Sequence, residues 1–353
     1  MRIALATDAW HPQVNGVVRS LSTTVDGLRK RGHEVDVIEP SGFWTVPCPT
    51  YPEIRLSLGC GSRVRRILDE LRPDAVHIAT EGPIGWAARR WCLVNHHGFT
   101  TAFHTRFPDY VSMRTRIPAE WIWKMMRQFH GRAEQTFAAT PTLAAELKSH
   151  GLHRTHAWPR GVDLAQFNPW VEPHKAMRDL PRPILLNVGR VAPEKNIEAF
   201  LEADVAGTKV VVGGGPALEK LRRAYPRVLF LGPMHGAELA SAYTAADVFV
   251  FPSRTDTFGL VNIEALACGL PIAAYPVAGP LDIVGSTGRG THGGKWPIGA
   301  LHEKLEVAIA LALAADRNAA VKEAAHYSWE RCTGEFLAGL RKDAALQPPR
   351  LAA

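Results

Sequence analysis

Short runs rich in valine, isoleucine and alanine alternate with longer amphipathic segments along most of this 353-residue chain. In the first half, 3-IALAT-7 and 75-AVHIAT-80 are typical of buried strands, while 17-VVRSLSTTVDGLRKRG-32 shows the periodicity of a helix. Strands that alternate with helices form parallel sheets covered on both faces. The pattern therefore predicts an α/β fold of the doubly wound type.

The alternation is interrupted at 168-NPWVEPHKAMRDLPRP-183, where four prolines and mixed charges are typical of a linker. It resumes with 184-ILLNVG-189 and continues to 271-PIAAY-275. A chain of this length exceeds one ordinary domain. We therefore expect two doubly wound domains, 1–170 and 171–327, followed by a helix at 328–345.

The five cysteines are scattered and form no Cys-x-x-Cys motif, which is typical of a reducing compartment and argues against a structural zinc site. The N-terminus lacks the long apolar core of a signal peptide, and no stretch reaches the roughly 20 apolar residues of a membrane span. These features predict a cytoplasmic protein, either soluble or peripheral on a membrane.

The net charge of +7 is unevenly distributed. Residues 1–170 contain 21 Lys and Arg against 15 Asp and Glu, whereas residues 171–353 contain 20 against 19. A basic first half suits a phosphate-rich partner, but an ordinary solvated surface would look the same. Nucleic acid is the least favoured partner, because no recognisable binding module accompanies the charge.

The segment 187-NVGRVAPEKNIEAFL-201 carries two cations where a strand ends and a helix begins. A guanidinium at Arg190, an ammonium at Lys195 and free helix N–H groups could together hold a diphosphate. An exposed loop with ordinary surface charges is the alternative.

The segment 251-FPSRTDTFGLVNIEALACGLPIAAYP-276 places Asp256 and Glu264 on either side of a Thr-Phe-Gly-Leu turn. Carboxylates accept hydrogen bonds from hydroxyl groups, and Gly259 lets a ligand approach the backbone closely. This layout suits a ligand that carries both hydroxyl and phosphate groups.

These motifs, in this order, resemble those of family 4 glycosyltransferases. The resemblance also includes 11-HPQVNGVVRSL-21, 104-HTRFPDYV-111, 158-WPRGVDLAQFNP-169 and the Gly-Gly-Gly-Pro at 213–216. It implies the GT-B fold, in which two Rossmann-like domains face each other across a cleft that holds a nucleotide sugar. It also implies a retaining transferase without a cofactor or metal ion, and a C-terminal helix that packs back on the first domain.

The resemblance assigns roles residue by residue. Arg190 and Lys195 would bind the diphosphate, and Glu264 would accept hydrogen bonds from the ribose hydroxyls. Asp256 would face the sugar or the distal phosphate, together with the backbone N–H groups of Phe258, Gly259 and Leu260. The family usually has Glu where this chain has Asp256, which implies an altered preference for the donor sugar.

Two further positions come from the first domain. The N–H of Gly16 would point at a phosphate, and Asn15 beside it tolerates a left-handed turn. His104 would orient the transferred sugar or share a proton with the acceptor, or else it is a histidine of the core. We therefore expect His104, Arg190, Lys195 and Asp256 to be catalytic.

The resemblance is strongest to GDP-mannose-dependent α-mannosyltransferases and lipid glycosyltransferases, which implies transfer of mannose from GDP-mannose. UDP-glucose or UDP-glucuronate is the alternative donor, and a non-catalytic nucleotide- or lipid-binding homologue is the alternative of another class. The acceptor could be a membrane lipid, because the segment 112–132 combines basic residues with Trp121 and other large apolar residues. That segment could equally be a helix in which Trp121, Met125 and Phe129 face the core.

Overall fold

The computed structural model describes residues 1–13, 15–48, 51–104 and 118–340. Contacts divide the chain into two units: Met1–Pro159 with the part of the chain from Trp329 onward, and Arg160–Ser328. The segment 160–170, which the sequence assigned to the first domain, groups with the second unit.

The first unit contains a parallel sheet and a separate antiparallel hairpin. Its strands are β1 Arg2–Ala6, β2 Glu34–Ile38, β3 Thr45–Cys48, β4 Tyr51–Ser57, β5 Ala75–Ile78, β6 Phe99–Phe103, β7 Thr136–Ala138 and β8 Thr155–Ala157. Its helices are α1 Gly16–Lys30, α2 Gly61–Leu71, α3 Pro83–Val94, α4 Ala119–His130 and α5 Pro141–Ser149, with a further helix at Trp329–Leu340. The sheet has the order β2-β1-β5-β6-β7-β8, and β3 pairs with β4.

The helix Trp329–Leu340 completes the core of the first unit. Its Cys332 and Phe336 share one apolar cluster with Leu21 and Val25 of α1. The two helices approach closely at Gly27, where a Cβ atom would lie 2.4 Å from the Thr333 hydroxyl oxygen. The C-terminal helix therefore packs on the first unit although the second unit precedes it in sequence.

The second unit is a six-stranded parallel sheet with helices packed against it. Its strands are β9 Ile184–Val188, β10 Thr208–Val212, β11 Leu229–Gly232, β12 Val248–Phe251, β13 Ile272–Ala274 and β14 Gly299–Leu301. Its helices are α6 Ile197–Glu202, α7 Leu218–Ala224, α8 Gly236–Ala245, α9 Leu260–Ala267, α10 Ala278–Val284, α11 Leu305–Ala312 and α12 Arg317–Ala324, so that Trp329–Leu340 is α13.

The strand order of the second sheet is β11-β10-β9-β12-β13-β14. Every residue of β9 and β12 is buried, as expected for central strands covered on both faces. The direction of strand succession reverses between β9 and β12, and in open parallel sheets ligands bind beyond the carboxyl ends of the strands at such a reversal. A ligand-binding site is therefore expected at the loops that follow β9 and β12.

In the part of the chain that the structure describes, no helix combines the length and the apolar character needed to cross a bilayer.

Candidate active site

Side-chain amides and a hydroxyl tie β9 and the loop that follows it to β12 and the loop that follows that strand. Asn187 donates through Nδ2 to the carbonyl of Val250 at 3.0 Å, and Asn196 donates to the carbonyl of Pro252 at 3.1 Å. The hydroxyl of Thr255 donates to the carbonyl of Glu194 at 3.4 Å. These bonds position both loops at the reversal point of the sheet.

An ion pair joins the two loops at their polar side chains. Lys195 Nζ lies 2.6 Å from Asp256 Oδ1, and the two side chains are 26% and 18% exposed. Arg190 Nη1 lies 3.7 Å from Glu194 Oε1, and the arginine side chain is 34% exposed. Both cations are thus held in place while remaining accessible to an anionic ligand.

The second carboxylate oxygen of Asp256 has no hydrogen-bond donor. Oδ2 is buried and makes no hydrogen bond with the residues that the structure describes. Buried carboxylate oxygens normally accept at least one hydrogen bond, so a ligand hydroxyl or a water molecule would fill this role.

Phe258, Gly259 and Leu260 form the turn that leads into α9. Gly259 has φ +81°, and a Cβ atom there would lie 2.7 Å from Asn262 Nδ2 and 2.9 Å from Phe251 Cζ. Glycine is therefore required by both conformation and space. As the N-cap of α9 it supplies no side-chain acceptor to the first turn, so the amides of this turn are suited to an anionic ligand.

The ring of Phe258 is buried and packs edge-on against Tyr327, with ring centroids 6.0 Å apart. Its carbonyl accepts a hydrogen bond from Asn262 Nδ2 at 3.3 Å. The buried side chain of Phe258 therefore holds the turn in place, and the backbone of Phe258 is the part that could contact a ligand.

Glu264 lies in α9, one turn beyond Leu260, and is 2% exposed. The hydroxyl of Tyr243 in α8 donates to Glu264 Oε2 at 3.0 Å. A carboxylate with so little competing water is a strong acceptor for a further hydroxyl. The sequence motif contains Glu264 but gives no sign of Tyr243, which lies 21 residues earlier on another helix.

Gly16 is the first residue of α1 and is exposed. Asn15 caps this helix, because its Oδ1 accepts hydrogen bonds from the amides of Val17 and Val18, each at 3.0 Å. The backbone of Asn15 is extended, with φ −154°, as is typical of a capping residue.

His104 follows β6, is partly buried and packs edge-on against Trp158, with ring centroids 5.4 Å apart. The rest of the predicted His-Thr-x-Phe-Pro-x-Tyr motif, 105–111, lies outside the described residues. His104 and Gly16 belong to the first unit, whereas all the other predicted site residues belong to the second.

Asp8 is a buried carboxylate that the sequence interpretation did not single out. It follows β1 and accepts hydrogen bonds from the amides of Ile84 and Gly85 at 3.0 and 3.3 Å and from the hydroxyl of Thr80 at 3.0 Å. Burial raises the pKa of Asp8 to about 6 in spite of these donors. Its position directly after an apolar strand was the only signal in the sequence.

Comparison with known proteins now identifies the family. Residues 14–166 match the model of Glycosyltransferase Family 4, and residues 182–308 match that of Glycosyl transferases group 1. The chain is 35% identical over 311 residues to a GDP-mannose-dependent alpha-mannosyltransferase of Mycolicibacterium smegmatis, covering 80% of this chain and 82% of that protein. The chain belongs to the family 4 glycosyltransferases. The predicted enzyme class, a glycosyltransferase, is confirmed.

The chain is also similar to a second curated relative and to a solved structure. It is 28% identical to the alpha-monoglucosyldiacylglycerol synthase of Streptococcus pneumoniae, over 78% of this chain and 71% of that protein. Its fold is similar to that of sucrose-phosphate synthase from Thermosynechococcus elongatus, with a TM-score of 0.70, 22% identity and coverage of 96% and 98% of the two chains. The predicted GT-B class, with two Rossmann-like units, is confirmed.

Proposed function

We propose that this glycosyltransferase moves a hexose to an acceptor hydroxyl with retention of anomeric configuration. The preferred donor in this proposal is GDP-mannose, from which mannose is transferred. The observation that carries the proposal is the pairing of Lys195 with Asp256 beside Arg190 at the reversal point of the second sheet. Anion-binding and hydroxyl-binding groups meet there on two adjacent loops.

The cations would bind the donor diphosphate. The guanidinium of Arg190 can clamp two phosphate oxygens, and the ammonium of Lys195 adds a compact charge. Both charges would also stabilise the nucleoside diphosphate as it leaves, which is the step at which negative charge develops. Neither a cofactor nor a metal ion is required for this role.

The carboxylates would bind hydroxyl groups. Asp256 Oδ2, buried without a donor from the described residues, suits a hydroxyl of the sugar, and Glu264 suits the ribose. The backbone of Phe258, Gly259 and Leu260 would contact the sugar or the distal phosphate. From the first unit, Gly16 would contribute an N–H to the phosphate, and His104 would orient the sugar.

The choice of donor is supported by similarity. The relative from Mycolicibacterium smegmatis is described as GDP-mannose-dependent, and it is the more similar of the two curated relatives compared above. The alternative donor is a UDP-sugar, which the similarity to a glucosyldiacylglycerol synthase keeps open. The alternative outside the enzymes is a non-catalytic homologue that binds a nucleotide or a lipid.

The proposed acceptor is a membrane lipid, reached from the cytoplasmic face by peripheral binding. Helix α4 buries Ile122, Trp123, Met126 and Phe129, whereas Trp121 is 72% exposed. The alternative in which Trp121 faces the core is therefore wrong at that position. An exposed tryptophan next to the exposed Lys124 is typical of a surface that contacts a lipid interface.

A donor panel tests the proposal. The purified enzyme is incubated with GDP-mannose, GDP-glucose, UDP-glucose or UDP-glucuronate, with and without vesicles of anionic phospholipid and diacylglycerol, and nucleotide release is measured. We expect the fastest release from GDP-mannose and a further increase with vesicles. Faster release from a UDP-sugar would contradict the donor assignment, and no release from any donor would favour the non-catalytic homologue.

A further inference from the structure

The glycine-rich loop 285–296 has no part in the proposed transfer reaction. One side chain of this loop, His292, lies against two residues at the end of α12, Glu323 and His326. We infer that His292, Glu323 and His326 form a binding site for a divalent transition metal ion of the zinc type.

The three side chains offer one ligand atom each, and these atoms all lie within 4.8 Å of one another. His292 Nδ1 is 2.8 Å from Glu323 Oε1. In a tetrahedral zinc site with bonds of about 2.0–2.2 Å, ligand atoms are separated by roughly 3.4 Å. The contact between His292 and Glu323 is therefore already short enough, and the other two separations, each at most 4.8 Å, need to shorten by no more than about 1.4 Å.

Glu323 is the fixed member of this cluster. It is 4% exposed, and its Oε1 also accepts a hydrogen bond from the amide of Thr291 at 2.9 Å. The loop packs closely against Glu323: a Cβ atom at Gly290 would lie 2.5 Å from Glu323 Cδ. A buried carboxylate is costly unless cations or donors surround it, and a divalent ion would offset that cost.

The choice of residues selects the metal. Two imidazoles and one carboxylate suit zinc, cobalt or nickel, whereas magnesium and calcium prefer oxygen ligands alone. Glu323 lies in the last turn of α12, and His326 lies in the turn that follows the helix, where its amide donates to the carbonyl of Glu323 at 3.1 Å. His292 then completes the site from a separate segment of the chain.

The two imidazole rings impose one requirement. They are stacked with centroids 4.3 Å apart and an interplanar angle of 11°. Ring nitrogens coordinate in the plane of the ring, so two parallel rings cannot meet at one ion and one ring must turn. His326 is exposed and lies beyond the last residue of α12, Ala324, so its side chain has room to turn.

Metal binding would link the glycine-rich loop to α12 and restrict the motion of the loop. The effect would extend to Tyr327, whose ring packs edge-on against His292 at 5.4 Å and against Phe258 at 6.0 Å. The site would thus stabilise the packing behind the turn that leads into α9. Its existence does not depend on which sugar the enzyme transfers.

The test uses full-length protein without a histidine tag, treated with chelator and then titrated with Zn²⁺, Co²⁺ or Mg²⁺. Calorimetry measures zinc affinity, visible absorption reports cobalt coordination, and thermal unfolding reports stabilisation. We expect saturable zinc binding, a four-coordinate cobalt spectrum and a zinc-dependent rise in Tm, with no response to Mg²⁺. His326→Ala should weaken zinc binding at least tenfold and abolish the cobalt spectrum.

His153→Ala is the matched control, because it removes an exposed histidine from the first unit. It should bind zinc like the wild type. Equal zinc affinity in His326→Ala and the wild type would overturn the proposal. So would a melting temperature that does not change when Zn²⁺ is added to the chelator-treated wild type.

Discussion

Lys195 and Asp256 make the most informative contact at the scale of single residues. Each is about a fifth to a quarter exposed, and each neutralises the other at 2.6 Å. A ligand with phosphate and hydroxyl groups can replace both halves of this pair, because phosphate competes for the lysine and a hydroxyl competes for the aspartate. The pair therefore holds the site in place before the donor binds.

Replacing Lys195 tests this role. Lys195→Ala should lower kcat/KM by about 10²–10³-fold, because a preorganised charge on the leaving diphosphate is lost. Lys220→Ala removes an exposed lysine from α7 in the same unit and should leave the rate unchanged. Steady-state kinetics and thermal unfolding of both variants provide the measurement. A Lys195→Ala enzyme that is folded and as fast as the wild type would refute the diphosphate assignment.

At the scale of single residues, the sequence predicts which side chains lie in the candidate site better than it predicts their hydrogen-bond partners. Arg190, Lys195 and Asp256 follow apolar strands in the sequence, so their placement beyond strand ends follows from their position in the chain. The partner of Glu264, Tyr243, could not be predicted, since the pair is formed by the packing of α8 against α9. The contacts of Asp8 with Thr80, Ile84 and Gly85 span 72 to 77 residues and have no local signature.

At the scale of secondary-structure elements, the central strands were predictable because strands covered on both faces are apolar throughout. The elements that were missed lie elsewhere. The hairpin of β3 and β4 stands outside the main sheet, and the edge strands β8 and β14 have three residues each. Helix α11 begins only at Leu305, because Gly299–Leu301 pairs with β13.

Asp8 joins two elements, β1 and α3, and its titration should be visible in stability. Burial raises its pKa from 3.8 to about 6. Between these values the native state binds more protons than the unfolded state, so the free energy of unfolding falls as pH rises from about 4 to 6. Asp8→Asn should remove this component of the pH dependence, as measured by denaturant unfolding from pH 4 to pH 8.

The control for Asp8 is Asp26→Asn, which changes an exposed carboxylate on α1. Its stability should depend on pH as in the wild type. Parallel profiles for Asp8→Asn and the wild type would show that the carboxyl group is not ionised differently in the folded and unfolded states.

At the scale of the whole molecule, the alternation of strands and helices predicts two doubly wound units, because each such unit needs its own core. The return of α13 to the first unit follows from the resemblance and not from the pattern itself. The two sheets share one kind of strand order: β1 lies between β2 and β5 in the first, as β9 lies between β10 and β12 in the second. Strand order of this kind depends on crossover connections that composition does not reveal.

The central claim is that the second unit holds the nucleotide sugar at the reversal point of its sheet. A crystal structure with GDP or GDP-mannose bound tests it most directly. We predict the diphosphate within hydrogen-bonding distance of Arg190 and Lys195, a ribose hydroxyl on Glu264, and the ion pair between Lys195 and Asp256 opened. A nucleotide bound away from the loops after β9 and β12, with that ion pair intact, would contradict the claim.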